Sequence, residues 1–185
     1  MSTLETNLIQ PSTGTTLTVG ASGDTIDIPS GATFDVTGAT VTGLSTGKIL
    51  QVVQGTHGTE DNFGNTSYQA TETDVDITPS ATSSKVLVTV TIPYAVFVKN
   101  DEFVITIYRD STNLALTAAQ GFGTLRSEDS DKYAGTFTAT FLDSPNSTSA
   151  LHYEAYVKRN SGSGDIYLNY NTSATSTITA MEIGA

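Results

Sequence analysis

The sequence predicts an all-β protein in two parts: a short intertwined trimeric β stem followed by an antiparallel jelly-roll β-sandwich head. Three observations carry that expectation. Apolar residues recur at two-residue spacing along most of the chain, which is the period of strands. Turn formers interrupt these runs at short intervals, and no run of helical period and useful length appears. Thr, Gly and Ser are abundant while Val, Ile and Tyr supply the apolar mass, a composition that favours sheets.

Residues 1–10 form a lead with an apolar cluster, Leu4, Leu8 and Ile9, ahead of Pro11. An apolar tip on a polar segment is expected to dock on a larger partner, so these three residues are the candidate anchor. Residues 11–47 carry the pairs Leu17/Val19, Ile26/Ile28, Phe34/Val36 and Ala39/Val41, each closed by a turn former, Gly20, Pro29, Gly38 and Gly43. Burying so few side chains falls far short of the entropy lost in ordering the segment. One copy therefore has no means of folding it alone. Three copies wound about an axis can pair their short strands and share one core, with Leu17, Val19, Ile26, Ile28, Phe34 and Val36 as the trimer stem core. A disordered Thr/Gly/Ser-rich linker is the competing reading; the regular recurrence of the pairs favours the stem.

Residues 48–185 form the head. KILQVVQ (48–54) reads as its first full-length strand, followed by a polar loop at 55–69. DVDITP places Val75 and Ile77 on one face and Asp74 and Asp76 on the other. In 80–98, Val86, Val88, Val90 and Ile92 share a face before Pro93 breaks or bulges the strand. EFVITIYRDSTNLALTA reads as a hairpin turning at DSTN, with a second loop at 121–132. YAGTFTATFLD, ALHYEAYVKRN, GDIYLNY and STITAMEIG complete nine or ten strands, with Phe137, Phe141, Leu151, Tyr153 and Val157 pointing inward and turn chemistry at 143–150.

The chain has 185 residues, no cysteine, and 8 basic against 19 acidic residues, for a net charge of −11. Disulfides and thiolate metal sites are therefore excluded. The charge opposes binding to nucleic acid or to an anionic membrane surface. No signal peptide and no run long enough to span a membrane is recognised, so no membrane insertion is expected and assembly in the cytoplasm of the producing cell is the default. GLSTGK (43–48) lacks the spacing and the following helix of a phosphate loop and reads as a hinge. The acids Glu128, Asp129 and Asp131, and Asp74 with Asp76, lack a calcium-loop pattern. His57 and His152 sit in no nucleophile context. No catalytic residue, cofactor or metal is expected.

TGTTLTVGASGDTIDIPSGATFDVTG, GKILQVVQ, DVDITPSATSSKVLVTV, IYRDSTNL, FLDSP with ALHYEAYVK, and STITAMEIG resemble a modular protein type of tailed phages of marine bacteria, cyanophage- and pelagiphage-like. In those proteins a stem of this kind precedes a C1q/TNF-like jelly-roll head. The resemblance covers nearly the whole chain. It implies a homotrimeric virion-surface protein, a tail fibre or other structural protein, held through its N-terminus by another virion protein. With one short stem and no recognisable large tail-attachment domain, a fibre or decoration protein on the capsid fits equally well. Its function would be non-catalytic, multivalent recognition of a host-surface glycan or protein. The loops at 55–69, 121–132 and 143–150 are the expected receptor surface, with His57, Asn62, Phe63, Arg126, Asp129, Asp131 and Lys132 as candidate contacts. A capsid decoration protein is the alternative, and a surface-polysaccharide depolymerase a more distant one.

Overall fold

The structure, a computed structural model, describes residues 9–11, 13–33, 35–37, 49–128, 132–172 and 174–184. The chain divides into two units, Met1–Leu44 and Ser45–Ala185.

In the first unit the described residues contain no strand, and their order comes from local turns. The Asp24 carboxylate accepts the Ala21 N–H at 2.7 Å, while the Asp24 N–H donates to the Ala21 carbonyl at 3.1 Å. Asp35 accepts both the hydroxyl and the N–H of Thr37, which hold its carboxyl below the usual carboxylate range. Leu17, Val19, Ile26, Ile28 and Val36 are between 38% and 60% exposed. In one copy the apolar pairs thus find no core. Ile9 is likewise exposed; Leu4, Leu8, Phe34 and the 43–48 hinge lie outside the described residues.

The second unit is all-β. Its strands are β1 (Ile49–His57), β2 (Asp61–Phe63), β3 (Gln69–Ile77), β4 (Lys85–Val96), β5 (Glu102–Arg109), β6 (Thr112–Asn113), β7 (Gly123–Arg126), β8 (Tyr133–Asp143), β9 (Leu151–Ser161), β10 (Ile166–Leu168) and β11 (Ser176–Ile183). A single 3-10 turn, Tyr170–Thr172, follows β10. Sheet A runs β1-β11-β4-β8, with β10 and β2 continuing beyond β11 along the upper part of β4; sheet B runs β3-β9-β5, with β6 and β7 sharing the far edge of β5. Every pairing is antiparallel. First strand pairs with last, then inward: β1 with β11, β3 with β9, β4 with β8, β5 with β7. That nesting is a long hairpin rolled up on itself, the jelly-roll order.

Alternation explains the core. Val86, Val88, Val90 and Ile92 of β4 meet Phe103, Ile105 and Ile107 of β5, Tyr153, Ala155 and Val157 of β9, and Ile178 and Ala180 of β11 in one buried cluster. Gly55 marks where β1 meets β3: a Cβ there would lie 1.7 Å from the Asp74 carbonyl oxygen. At the end where β1 begins, hereafter the lower end, Arg109 and Tyr153 from sheet B both reach the Asp143 carboxylate of sheet A, at 2.6 and 2.7 Å.

Three expectations are corrected. Pro93 does not break its strand, because β4 stays in register with β8 from Val86 to Val96. On its other side β4 changes partner from β11 to β10 beside Pro93, so the missing N–H falls in the gap, and the Pro93 carbonyl accepts the Asn169 N–H at 3.1 Å. The segment 55–69 is not one loop: β1 extends to His57 and β2 occupies 61–63. The segment 121–132 contains β7, hydrogen-bonded along β5. The hairpin forms as expected, with Arg109 opposite Thr112 and Asp110 at φ 51, though its second strand has two residues and Leu116 is fully exposed.

Candidate functional site

The end of the sandwich opposite the start of β1 collects the segments 58–68, 97–101, 162–165 and 169–172, with residues 127, 128, 132, 174 and 175. This is the loop end. Two buried polar side chains lock these segments together. Asp101, with none of its surface exposed, accepts the N–H groups of Ser163 and Gly164, both at 2.9 Å, while its own carbonyl accepts the Ser127 N–H at 3.0 Å. Gly162 must be glycine here: its φ is 93 and a Cβ would meet the Asp101 carboxylate at 1.8 Å. Asn169, equally buried, donates to the Thr59 carbonyl at 3.1 Å and accepts the Ser176 hydroxyl at 2.8 Å. Loops tied down in this way present their side chains at fixed positions without further ordering cost on binding.

Two of the three expected receptor loops meet at this end; the third does not. Segment 144–150 joins β8 to β9 at the lower end, because the β8–β9 connection crosses between sheets there. His57 closes β1, with Nε2 at 2.6 Å from Asp61 Oδ2 and a mostly buried side chain. Asn62 reaches Asp165 at 3.2 Å. Phe63 is a correction: at 8% exposure it belongs to the core, since β2 pairs with β10 and turns that ring inward. Arg126 ends β7 opposite Glu102, half exposed, 3.5 Å from Glu128. Lys132 is exposed and holds its Nζ 4.2 Å from the centre of the Tyr170 ring. Asp129 and Asp131 lie outside the described residues.

From the sequence, Tyr167 and Tyr170 read as core or trimer-interface residues rather than sugar-stacking platforms, and nothing there groups them with Phe97 beside Lys132. Phe97 packs against Tyr167 and Tyr170 at 5.3 and 5.1 Å between ring centres. Next to it a cavity of about 160 Å3 is lined by Pro93, Tyr94, Ala95, Lys132, Ala134, Gly135, Tyr170 and Ala174. Its signal in the sequence is Ala134-Gly135, two small residues in a strand otherwise carrying Thr and Phe.

The outer face of sheet A is a second distinctive surface. Val52, Met181, Leu87 and Leu142 stand directly opposite one another across β1, β11, β4 and β8. The next two rows are Gln54, Thr179, Thr89, Thr140 and Thr56, Thr177, Thr91, Thr138. Hydrogen bonds link them laterally, Gln54 to Thr179 at 3.0 Å and Thr89 to Thr140 at 3.0 Å. Ile49 and Ile183 extend the apolar band beside Lys85, the one charged residue in these rows of β1, β11, β4 and β8; Lys132 stands further up the same face.

Among the described residues there is no cluster of three or more His, Asp or Glu that could hold a metal ion, and no helix long and apolar enough to cross a membrane. No family model matches the chain, and no curated protein does. Among solved structures it is similar to the VP2 subviral particle of infectious bursal disease virus, at 15% identity and a TM-score of 0.37, over 73% of this chain and 38% of VP2. The chain thus spans under two fifths of that protein's length, and a likeness this distant identifies neither fold nor role.

Proposed function

We propose that the protein is a homotrimeric structural protein of the virion surface, a fibre or spike whose head recognises a glycan or protein of the host surface without catalysis. The observation that carries this reading is the set of uncharged rows on the outer face of sheet A, edged by Lys85. On a chain of net charge −11, identical copies repel one another. An apolar band and threonine rows with a single lysine at their edge are the place where they can meet without burying unpaired charge. The exposed pairs of the first unit call for the same partners: Leu17, Val19, Ile26, Ile28 and Val36 gain a core only from further copies. The apolar band lies at the lower end of sheet A, so association through it leaves the loop end open for recognition. Leu4, Leu8 and Ile9 would hold the assembly to another virion protein.

Two measurements test this. Light scattering of the full-length protein should give the mass of three chains; the mass of one chain at micromolar concentration overturns the trimer. Particles lacking the protein should adsorb poorly to host cells. Normal adsorption with lowered resistance to heat or osmotic shock would reject recognition and support capsid decoration instead.

A further inference from the structure

We propose that the cavity between Pro93, Tyr170 and Lys132 is a binding site for one hexose ring bearing a carboxylate, a uronic-acid unit of a surface polysaccharide. The site rests on the host-binding reading above and narrows it to a ligand class. It differs from the loop tips that the sequence pointed to.

Four observations converge on that ligand. The cavity, about 160 Å3, is close to the ~150 Å3 that holds one benzene-sized ring, so it takes one face of a single sugar ring while the ring's substituents stay at the open rim. It is too small for a peptide segment with side chains. The part of its floor open to a ligand is apolar, formed by Pro93 of β4 with Ala134 and Gly135 of β8. Small side chains in adjacent strands leave a hollow that larger residues would fill. Such a floor accepts the C–H face of a sugar ring, while the Tyr170 ring supplies an apolar wall.

The third observation is the position of the charge. Lys132 sits over the Tyr170 ring at 4.2 Å, so the ammonium is held at the rim by cation–π attraction rather than left to swing in solvent. An ammonium so placed selects a carboxylate on the ring over a neutral hydroxymethyl group through a charge-assisted hydrogen bond. The fourth is rigidity. Ala95 is fully buried although it points to the outer side of its sheet, because the Phe97–Tyr167–Tyr170 cluster covers it. The wall of the cavity is therefore already packed before a ligand arrives. Pro93 lies six positions, roughly 20 Å, beyond Leu87 along β4, so the cavity stays open when contact between copies is confined to the apolar band and does not cover the row at Thr91. Three such sites on one trimer make weak single contacts add.

The test uses full-length protein with glucuronate and glucose as probes, observed by saturation-transfer NMR and quantified by titration. Glucuronate should bind, and glucose about tenfold more weakly. Lys132→Ala should reduce glucuronate affinity to the level of glucose. Ala134→Leu should fill the hollow and abolish both, while Lys158→Ala on sheet B should change neither. Thermal unfolding and mass confirm that each variant is folded; if A134L is not, K132A alone decides. The site is overturned if glucuronate fails to bind, if glucose binds as well, or if K132A binds like the parent. Adsorption assays on particles carrying K132A separate this site from the broader reading. Lost sugar binding with normal adsorption keeps the site and removes its role in host attachment. Impaired adsorption without any sugar binding overturns the site in favour of a protein receptor.

Discussion

The two outer faces of the head are built from strands of the same kind, in the same antiparallel pattern, yet they differ in almost every side chain. Sheet A presents an apolar row and two uncharged rows from β1, β11, β4 and β8. Sheet B presents Asp74 opposite Glu154, a like-charged cross-strand pair, with His152 beside them. His152 Nδ1 lies 2.8 Å from Asp76 and 3.9 Å from Asp74, and Nε2 lies 3.6 Å from Glu154. Further along the same face stand Lys158, Glu102 and Arg126. Strand alternation requires an apolar residue only at every second position. The other positions are free, and here one set suits water while the other suits a neutral partner. Inside a protein of strong negative charge, that difference separates a solvated face from a contact face.

The largest break of this contrast comes from placing carboxylates on sheet A. Leu87→Glu or Leu142→Glu puts one unpaired charge per copy into the proposed contact, an uncompensated burial that costs several kcal/mol, and should reduce the mass seen by light scattering from three chains to one. Thr124→Glu on sheet B should leave the mass unchanged. An intact trimer carrying L142E would exclude sheet A as the contact.

A smaller effect lies beneath the band, at Glu182. Its carboxylate is 1% exposed and accepts the N–H and hydroxyl of Ser80 at 2.7 and 2.6 Å and the Gln51 amide at 2.8 Å. Burial favours the neutral form, but these hydrogen bonds outweigh it and hold the group at about 2 against an ordinary 4.5. The folded-state value is depressed, so the stabilisation is present above pH 4.5 and is lost as pH falls towards 2. Glu182→Gln should cost about 1–3 kcal/mol at neutral pH by leaving donors mismatched. It should also flatten the acid limb of stability measured by denaturant titration between those values.

His152 gives the smallest effect, and one of opposite sign. Burial pulls its pKa down, but the neighbouring Asp76, Asp74 and Glu154 outweigh that and raise it above 6.5. Its stabilisation is complete below pH 6.5 and is lost as pH rises through the raised value. The side chain is 41% exposed, so His152→Gln should change stability by under about 1 kcal/mol. Across neutral pH the variant should be flat where the parent declines. A steeper decline in the variant would mean that the carboxylates on sheet B are not held by His152.

How far residues alone foretold this arrangement depends on the range of the interaction involved. Val86, Val88, Val90 and Ile92, or Leu151, Tyr153, Ala155 and Val157, declare their inner face through a two-residue period, and the structure buries each of them. The Asp110 turn is equally local, as is the exposure of the stem pairs in a single copy. Phe63, set among the turn formers Asp61, Asn62 and Gly64, reads as a loop residue. Its burial depends on β10, a hundred residues later in the chain. Pro93 looked like a break because local rules see only its missing N–H; the gap that absorbs it exists because β11 and β10 share one side of β4. The cavity beside Lys132 needed Pro93, Ala134 and Tyr170 to be brought together from three segments. The sequence by itself therefore determined the strand class, the inner faces, the acidic charge and the inability of a single stem to bury its apolar pairs, because each depends on neighbours a few residues apart. Only the tertiary structure decided which loops share an end, which outer face carries the uncharged rows and where a hollow opens. Those follow from cross-strand register, and register is set by pairings between residues that are far apart in the chain.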